Sequence, residues 1–344
     1  MRQAGCDILL PCEAISAMGF VEVLTHWRPI RQAFLQLKAL LQGDSPPDML
    51  LTVDFQEFNL RLAAAAKKAG VPVVHYVSPQ LWAWRPGRAR KVAAVVDKLA
   101  AILPFEPGYY AGLDIDVRYV GHPLLDDYRL ELPAGALRKQ LGIAPGTSVV
   151  GLFPGSRRNE LKYNLPTLVA TAKRLHAANP TLQFMVPVAP TLTEEPFRQV
   201  FADAGIMAHV TRQPIYDVIA ACDVVAAVSG TVTLQVALGG TPLVIFYKMA
   251  PLSYQIAKRL VNIFAVGLPN IIAGRFIVRE LIQDQATAES LAAEIQKLLT
   301  DTAYRDQVAT DLATVRYKMG APGSSQRVAA MALELLHSRA TGHP

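Results

Sequence analysis

The sequence predicts an α/β protein of two Rossmann-like domains, each built on a parallel sheet. Apolar and β-branched runs of strand length alternate with segments of helical periodicity, and this alternation is typical of βαβ units. The chain has 344 residues, enough for two domains of ordinary size, and 51% of them are hydrophobic against 18% charged. This composition favours large buried cores and excludes an intrinsically disordered chain.

Four strands are predicted in each half of the chain, with helices between them. The predicted strands are Met49–Val53, Val71–Tyr76, Ala100–Leu103, Val117–Val120, Val149–Phe153, Phe184–Val188, Val224–Val228 and Leu243–Phe246. The predicted helices are Ile30–Leu41, Asn59–Ala69, Leu165–Ala178 and Ile215–Ala221. A Pro/Gly segment over 142–147 separates the halves. We therefore place an N-terminal domain at 1–145, completed by a C-terminal helix over 325–340, and a C-terminal domain at 146–324.

The segment Val224–Tyr247 carries no charge and is therefore tested as a membrane span. Its polar, glycine and proline residues divide it into pieces shorter than the about 20 apolar residues that a spanning helix needs. We interpret it as strand, turn, helix and strand. The N-terminal residues also lack the apolar core of a secretory signal.

Charge and cysteine content indicate which partners and which compartment fit. A formal net charge of +6 and a pI near 9.2 favour anionic partners, whether phosphorylated ligands, anionic lipid or nucleic acid. The three cysteines, Cys6, Cys12 and Cys222, have no paired spacing, which points to a reducing compartment. No histidine or cysteine pattern has metal-ligand spacing, so no metal site is predicted.

Asp54 directly follows the apolar run of the first predicted strand. Open α/β sheets bind ligands at the carboxyl ends of their strands, so this carboxylate could act as a general base or hold an acceptor group. A helix N-cap is an equally weighted alternative, because Asp is favoured at that position.

Two strand-to-helix turns are candidates for phosphate binding. Pro154-Gly155-Ser156-Arg157 follows one predicted strand, and Ser229-Gly230-Thr231 follows another. A helix N-terminus offers backbone N–H groups to an anion, Gly155 permits close approach, and Arg157 can grip phosphate oxygens. Gln235 could bind a ribose hydroxyl. A plain Pro-Gly turn and tight helix–sheet packing are the alternatives, but two such turns together favour nucleotide binding.

An acidic pair, Asp114 and Asp116, superficially resembles the DxD metal clamp of some transferases. No other ligand lies nearby in the sequence, so we interpret it as a solvated loop.

Two segments combine aromatic and basic residues. Residues 18–38, which include Phe20 and Trp27, could lie in a bilayer interface or form a core-facing helix. Trp82, Trp84 and Arg85 belong to a second strip that could face a phosphorylated sugar or a membrane. No RNA- or DNA-binding motif accompanies it, so nucleic acid is not an expected partner.

Eight stretches of the chain together resemble the lipid-A-disaccharide synthases. These are inverting glycosyltransferases of the GT-B type, in which two Rossmann-like domains face a central cleft. The matching stretches are MGFVEVL (18–24), Val53-Asp54 with Phe58-Asn59, HYVSPQLWAWRPGR (75–88), LPFE (103–106), VGHPLLD (120–126), PGSRRNE (154–160), SGTVTL (229–234) and LPNIIAG (268–274).

The resemblance implies a reaction in lipid A biosynthesis. UDP-2,3-diacylglucosamine and 2,3-diacylglucosamine 1-phosphate would give a β-1,6-linked disaccharide 1-phosphate and UDP, with no metal or other cofactor. The protein would be peripheral to the cytoplasmic face of the bacterial inner membrane, with an anionic lipid surface as a partner. Self-association into a homodimer is compatible with the resemblance.

The resemblance also implies roles for individual residues. Asp54 and Arg157 match residues that the family needs for activity. The C-terminal domain would bind the UDP-sugar through Gly155, Ser156, Ser229, Gly230, Thr231, Gln235 and Asn270. The N-terminal domain would face the acceptor and the membrane through Phe20, Trp27, Trp82, Trp84 and Arg85.

Three departures from the family pattern keep alternatives open. The family's opening strand and Gly-Glu-Ala-Ser-Gly-Asp turn have no match, so we expect roughly 40 residues of the first domain to be missing and its sheet to be incomplete. Gln235 stands where the family often has Glu, and Glu57 replaces an Asp near Asp54. The alternatives are an inactive remnant that binds lipid or nucleotide, and a UDP-sugar epimerase on a similar fold.

Overall fold

The chain divides into two α/β units. Unit 1 consists of Met1–Val120 and Gly323–Pro344, and unit 2 of Gly121–Pro322. The computed structural model describes residues 2–11, 27–83, 86–261 and 263–340, without the side chains of Gln3, Trp27, Pro86 and Ala340.

Unit 1 contains a four-stranded parallel sheet whose strands lie side by side in chain order. Its strands are β1 (Leu50–Val53), β2 (Val73–Tyr76), β3 (Lys98–Ala101) and β4 (Asp116–Tyr119). Its first three helices are α1 (Trp27–Leu41), α2 (Gln56–Lys68) and α3 (Ala89–Ala93). The core between sheet and helices is apolar, with Leu62, Val73 and Leu99 buried. This apolar layer accounts for the helical and strand periodicities in the sequence.

Unit 2 contains a six-stranded parallel sheet in the order β10-β9-β8-β5-β6-β7. Its strands are β5 (Val149–Phe153), β6 (Gln183–Pro187), β7 (Ala208–Thr211), β8 (Val224–Val228), β9 (Leu243–Tyr247) and β10 (Glu280–Ile282). Its helices are α4 (Leu124–Asp127), α5 (Ala136–Gln140), α6 (Arg158–Ala178), α7 (Glu195–Asp203), α8 (Ile215–Ala220), α9 (Thr231–Gly239), α10 (Pro251–Leu260), α11 (Leu268–Ala273), α12 (Ala288–Thr300) and α13 (Thr302–Lys318).

The strand order of unit 2 creates a switch point in the sheet. The chain runs from β5 outward to β6 and β7, and then returns to place β8 on the other side of β5. The connections that leave β5 and β8 therefore diverge. Open α/β sheets bind ligands in the crevice that such divergence leaves at the carboxyl ends of the strands.

The predicted fold class is confirmed, and the eight predicted strands are present within a few residues of their expected positions. The prediction missed β7 and β10, which are the two edges of the larger sheet. Edge strands are short and partly polar because only one side pairs, so they have weak hydrophobic patterns. Helix α6 begins at Arg158 rather than Leu165 and continues through Pro166.

The uncharged segment Val224–Tyr247 forms β8, α9 and β9, as predicted. None of the described helices combines the length and apolarity that crossing a bilayer requires.

The boundary between the units differs from the one inferred from the sequence. We placed it near residue 145, whereas the first segment of unit 1 ends at Val120. Residues 121–145 belong to unit 2 because they are tied to it by specific contacts. The Arg138 guanidinium lies 2.8 Å from a carboxylate oxygen of Asp223, and the backbone N–H of Glu131 donates to Asp217. A Pro/Gly segment marks a turn, and only these contacts show which unit it belongs to.

The last helix, α14 (Ser324–Ala340), belongs to unit 1. Val328 and Met331 pack against Ala100 and Val120, and the Arg327 Nε donates to the Val120 carbonyl over 2.7 Å. Unit 1 is therefore assembled from two separate stretches of the chain.

Candidate active site

A cavity of about 780 Å³ opens at the carboxyl edge of the sheet in unit 2. Its walls include strand-end residues from four strands, namely Phe153, Pro187, Val228 and Tyr247, together with Arg212 just after β7. This volume lies within the range of cavities that bind small molecules and cofactors.

Most of the predicted nucleotide-binding residues line this one cavity. They are Gly155, Ser156, Arg157, Ser229, Gly230, Thr231 and Gln235. The two turns meet because β5 and β8 are hydrogen-bonded neighbours, with Phe153 paired with Ala227. The structure thus places both turns at the switch point of the sheet.

In the turn after β5, backbone N–H groups already donate to a carboxylate of the protein, that of Glu160. Gly155 has a φ of +102°, which favours glycine, and its close approach leaves no room for a Cβ beside Glu160. The Glu160 carboxylate accepts hydrogen bonds from the Ser156 N–H (3.0 Å) and the Arg157 N–H (3.3 Å). Its other oxygen lies 3.1 Å from the Arg157 guanidinium.

This arrangement corrects the expectation that the amides of the first turn are free. Glu160 caps the N-terminus of α6, where a negative charge is stabilised by the helix dipole. A diphosphate that used the same donors would have to displace the Glu160 carboxylate. The exposed Arg157 side chain retains further donors that can reach a ligand.

The turn after β8 is a more open anion site. No side chain caps α9 at Gly230, and the Thr233 hydroxyl folds back to donate to the Gly230 carbonyl over 2.8 Å. The Ser229 hydroxyl donates to the Val266 carbonyl over 2.9 Å, which fixes the turn from outside the helix. A ligand anion that binds the first-turn N–H groups of α9, around Thr231, therefore does not have to displace a capping side chain.

Among the cavity residues that were not predicted from the sequence are Arg212 and Tyr247. Arg212 follows β7, and because that strand was missed, its position at the carboxyl edge was missed as well. Tyr247 ends β9; burial and the nearby Glu160 charge raise the pKa of its phenol, while Arg157 lowers it. A strand-terminal tyrosine has no sequence signature of its own.

Asn270 is not among the residues that line the cavity. Its side chain is fully buried and donates to the Val278 carbonyl and to Glu280, over 2.9 and 2.8 Å. Its oxygen accepts from the N–H groups of Ile277 and Val278. The structure thus gives Asn270 a bracing role, because the side chain ties α11 to the segment that leads into β10.

In unit 1, Asp54 lies at the carboxyl end of β1 in strained backbone. Asp54 and Phe55 have φ values of 48° and 42°, and Val77 at the end of the neighbouring β2 has 76°. Non-glycine residues rarely adopt this region, and a β-branched valine does so least readily. The N-cap of α2 is Phe55, so the alternative that Asp54 caps this helix is wrong. Strain of this kind concentrates at functional sites.

A chain of side-chain hydrogen bonds supports the strained turn. The buried Thr52 hydroxyl lies 2.7 Å from His75 Nδ1, and His75 Nε2 lies 3.0 Å from the Gln56 side-chain oxygen. The Gln56 Nε2 donates to the Val77 carbonyl over 3.0 Å, and Asn59 donates to the Asp54 carbonyl over 2.7 Å. Burial lowers the pKa of His75 to about 4, so its ring is neutral near pH 7.

The membrane-facing residues predicted in unit 1 are only partly described. Phe20, Trp84, Arg85 and the side chain of Trp27 lie outside the described residues. Trp82 is half-buried, and its ring meets that of Phe105 edge-on with centroids 5.9 Å apart.

Helix α1 shows which alternative applies to the later part of residues 18–38. Ala33 and Leu41 are buried, and Ile30, Phe34 and Leu37 pack against the same core. The apolar stripe of α1 therefore faces the protein, as in the core-facing alternative.

Asp116 is engaged in an ion network at the start of β4. Its carboxylate lies 2.8 Å from the Arg118 guanidinium and 3.6 Å from the Lys98 ammonium. The structure thus pairs Asp116 with cations of the protein itself. Within the ranges that the structure describes, no cluster of acidic, histidine or cysteine side chains could hold a metal ion.

Comparison with known sequences finds one family over almost the whole chain. The family described as lipid-A-disaccharide synthetase matches residues 1–334. A lipid-A-disaccharide synthase from Syntrophotalea carbinolica is 53% identical over 335 residues, which cover 97% of this chain and 86% of that protein. One from Geobacter sulfurreducens is 42% identical over 336 residues, covering 98% and 87%.

Solved structures with a similar fold are more distant in sequence. A UDP-GlcNAc 2-epimerase from Neisseria meningitidis, bound to UDP-GlcNAc, has a TM-score of 0.57 at 14% identity, covering 92% of this chain and 83% of that one. MurG from Acinetobacter baumannii has a TM-score of 0.55 at 15% identity, covering 90% and 79%. At these identities the likeness shows a common fold and no more.

Proposed function

Because the chain belongs to the lipid-A-disaccharide synthase family, we propose that the cavity of unit 2 binds its UDP-sugar donor. Family membership makes the chain a glycosyltransferase of lipid A disaccharide synthesis that uses a UDP-sugar. In the full reaction that we propose, UDP-2,3-diacylglucosamine transfers its sugar to the 6-hydroxyl of 2,3-diacylglucosamine 1-phosphate.

The meeting of the two turns at the switch point carries this proposal. Arg157 supplies a fixed positive charge on one side of the cavity, and the open N-terminus of α9 supplies backbone donors on the other. A diphosphate needs both, and Gln235 on the second turn of α9 lies where a ribose hydroxyl could be bound.

In the proposed mechanism the acceptor oxygen displaces UDP directly. The 6-hydroxyl oxygen attacks the donor's anomeric carbon, the bond from that carbon to the diphosphate oxygen breaks, and configuration inverts. Asp54 takes the hydroxyl proton or orients the hydroxyl, while Arg157 and the α9 amides stabilise the charge on the departing UDP. The strained, braced turn at Asp54 supports this role, because it fixes the backbone that carries the carboxylate before the acceptor binds.

We also propose that the protein docks on the cytoplasmic face of the inner membrane. Both proposed sugars carry acyl chains, and the net charge of +6 suits an anionic lipid surface. The homodimer stays a prediction, which sedimentation of the purified protein would test.

The decisive experiment measures UDP release in detergent with the acylated UDP-sugar, with and without the acylated sugar 1-phosphate. We expect UDP only when both substrates are present. Isomerisation of the donor sugar without acceptor would contradict the proposal and support the epimerase alternative. Binding of UDP without any turnover would support the inactive remnant.

Two variants separate the proposed roles. Arg157→Ala should weaken UDP binding and lower turnover by a barrier increase of about 3–4 kcal/mol, as for loss of a comparable donor. Asp54→Asn should lower turnover by roughly 10²–10⁴-fold and leave UDP binding unchanged.

The matched control for Arg157 is Arg174→Ala. Arg174 is a similarly exposed arginine of α6, the helix that begins directly after Arg157; it pairs with Glu289 and is not part of the cavity wall. Near-normal turnover of Arg157→Ala, or an equal loss in Arg174→Ala, would remove Arg157 from the site.

A further inference from the structure

Helix α10 (Pro251–Leu260) turns its apolar side away from the protein. Leu252, Ile256 and Leu260 recur every four residues and so lie on one side of the helix. They are 74%, 51% and 56% exposed, and none of the helix residues, all of which are described, is buried. Of its two half-buried residues, Tyr254 lies on the opposite side and Ala257 on the flank between the two sides. A surface helix ordinarily has the reverse orientation.

Two further exposed aromatic rings follow α10 in the sequence. Phe264 and Phe276 are 53% and 59% exposed, and their rings meet edge-on with centroids 5.7 Å apart. We call Leu252, Ile256, Leu260, Phe264 and Phe276 the α10 patch. Most of the exposed large apolar side chains described in unit 2 belong to it. Such a concentration marks an interaction surface, whereas scattered apolar residues would not.

The segment of chain that carries the α10 patch has only positive charges. From 248 to 279 the sequence contains basic residues but neither Asp nor Glu. Arg275 and Arg279 pair with Asp311 and Glu294, which belong to other helices. Lys258 and Arg259, on α10 itself, are exposed and form no ion pair with any described residue. Lys248 is half-buried and lies 3.5 Å from the Thr167 hydroxyl, so the exposed basic side chains without an acidic partner lie on the helix with the apolar stripe.

We propose that the α10 patch is a membrane-docking surface that seats unit 2 on an anionic lipid bilayer. Apolar side chains on one side of a short helix enter the acyl boundary, while long basic side chains reach the headgroup phosphates. An acid-free basic segment complements such a surface. Unit 2 thereby has its own membrane contact, separate from the interfacial segment that the sequence offered as one alternative for residues 18–38.

The position of α10 gives this contact a consequence for the donor. The helix begins four residues after Tyr247, which lines the cavity. Bilayer contact through α10 holds the rim of the cavity near the membrane. An acylated donor can then keep its acyl chains in lipid while its nucleotide enters the cavity.

The experiment is flotation of the full chain with vesicles of phosphatidylethanolamine and phosphatidylglycerol. The variant Leu252→Ser/Ile256→Ser/Leu260→Ser should raise the lipid concentration for half-maximal binding by about tenfold or more. Its melting temperature and UDP affinity should not change. The control Leu130→Ser/Met207→Ser removes exposed apolar side chains elsewhere in unit 2 and should bind like the wild type.

A second variant tests the charge. Lys258→Glu/Arg259→Glu should weaken binding to the anionic vesicles and have a much smaller effect on vesicles of phosphatidylcholine alone. Unchanged flotation of both variants would overturn the proposal, as would a lipid-free dimer that the triple variant converts to monomer. Turnover of detergent-dispersed substrates tests the proposed function alone. If the wild-type protein showed no turnover, the proposed function would fail, and the vesicle experiment would still test membrane docking.

Discussion

At the scale of single residues, two acids in similar positions in their sheets have different surroundings. Glu160 and Asp54 are both acids near the carboxyl end of a parallel strand. Glu160 is bound by the N–H groups of its own turn and by Arg157, so it is part of the structure of that turn. The Asp54 backbone is held in a strained conformation by its neighbours, and its carboxylate does not cap the helix that follows. The second arrangement is the one expected of a group that acts on substrate.

Glu106 provides a pH-dependent test at this scale. It is buried, and burial raises its pKa from 4.5 to about 7, against the N–H groups of Leu103 and Ile102, which lower it. At a pH between 4.5 and about 7, Glu106 keeps its proton in the folded state and releases it in the unfolded state. The free energy of unfolding should therefore fall by on the order of 3 kcal/mol as pH rises through this window.

The measurement compares wild type with Glu106→Gln by urea unfolding at about pH 5 and about pH 8. The neutral amide removes this titration, so the variant should gain stability relative to wild type at the higher pH. His75, whose pKa is lowered to about 4, has the opposite pH dependence but is present in both proteins and cancels in the difference. A stability difference that does not change with pH would contradict the prediction.

At the scale of elements, α1 and α10 show that amphipathicity does not by itself determine orientation. Both are surface helices with an apolar stripe and basic residues. The stripe of α1 packs against the core of unit 1, whereas that of α10 faces outward. The difference arises from what lies underneath each helix. The core of unit 1 offers α1 an apolar surface, whereas only Tyr254 and Ala257 of α10 are even partly buried.

The turn between β5 and α6 can be tested through Gly155→Ala. A Cβ at this residue would lie 2.5 Å from a carboxylate oxygen of Glu160, at a φ of +102°. The substitution should strain the backbone and displace the cap, with a loss of about 2 kcal/mol or more in the free energy of unfolding.

Gly146→Ala is the matched control, because Gly146 also has a positive φ but no atom within 4 Å of the added Cβ. Its free energy of unfolding should fall by about 1 kcal/mol, because only the backbone strain of a non-glycine residue at positive φ is added. Equal losses in the two variants, measured by denaturant unfolding, would show that the Glu160 cap does not stabilise the turn.

At the scale of the whole molecule, unit 1 is discontinuous in sequence. Its last helix returns after all of unit 2 and closes an apolar cluster with Val328 and Met331. The Lys98 ammonium also lies 2.9 Å from the Glu334 carboxylate. The stability of unit 1 therefore depends on residues more than 200 positions away from its sheet.

Met331→Ala should lower the free energy of unfolding of unit 1 by about 2–5 kcal/mol, because Met331 is buried against the sheet. UDP binding should persist, since the residues proposed to bind it belong to unit 2. Leu333→Ala, on the exposed side of the same helix, should be nearly neutral. The test is calorimetry with and without UDP; loss of UDP binding in Met331→Ala would contradict it.

The sequence by itself determined the α/β class, the central strands of both sheets and the two turns at the cavity. These features depend on local patterns, because burial on both faces gives continuous apolar runs and a strand-to-helix turn needs small residues. The family resemblance also followed from short stretches of sequence.

Only the tertiary structure decided which of these residues act together. In the structure, Asn270 binds the backbone before β10, and the Glu160 carboxylate accepts from an N–H group that was expected to bind a ligand. The first segment of unit 1 ends at Val120. The tertiary structure also turned the apolar side of α10 outward and formed the edge strands β7 and β10. Each of these outcomes depends on contacts between residues far apart in the chain, and such contacts leave no local pattern in the sequence.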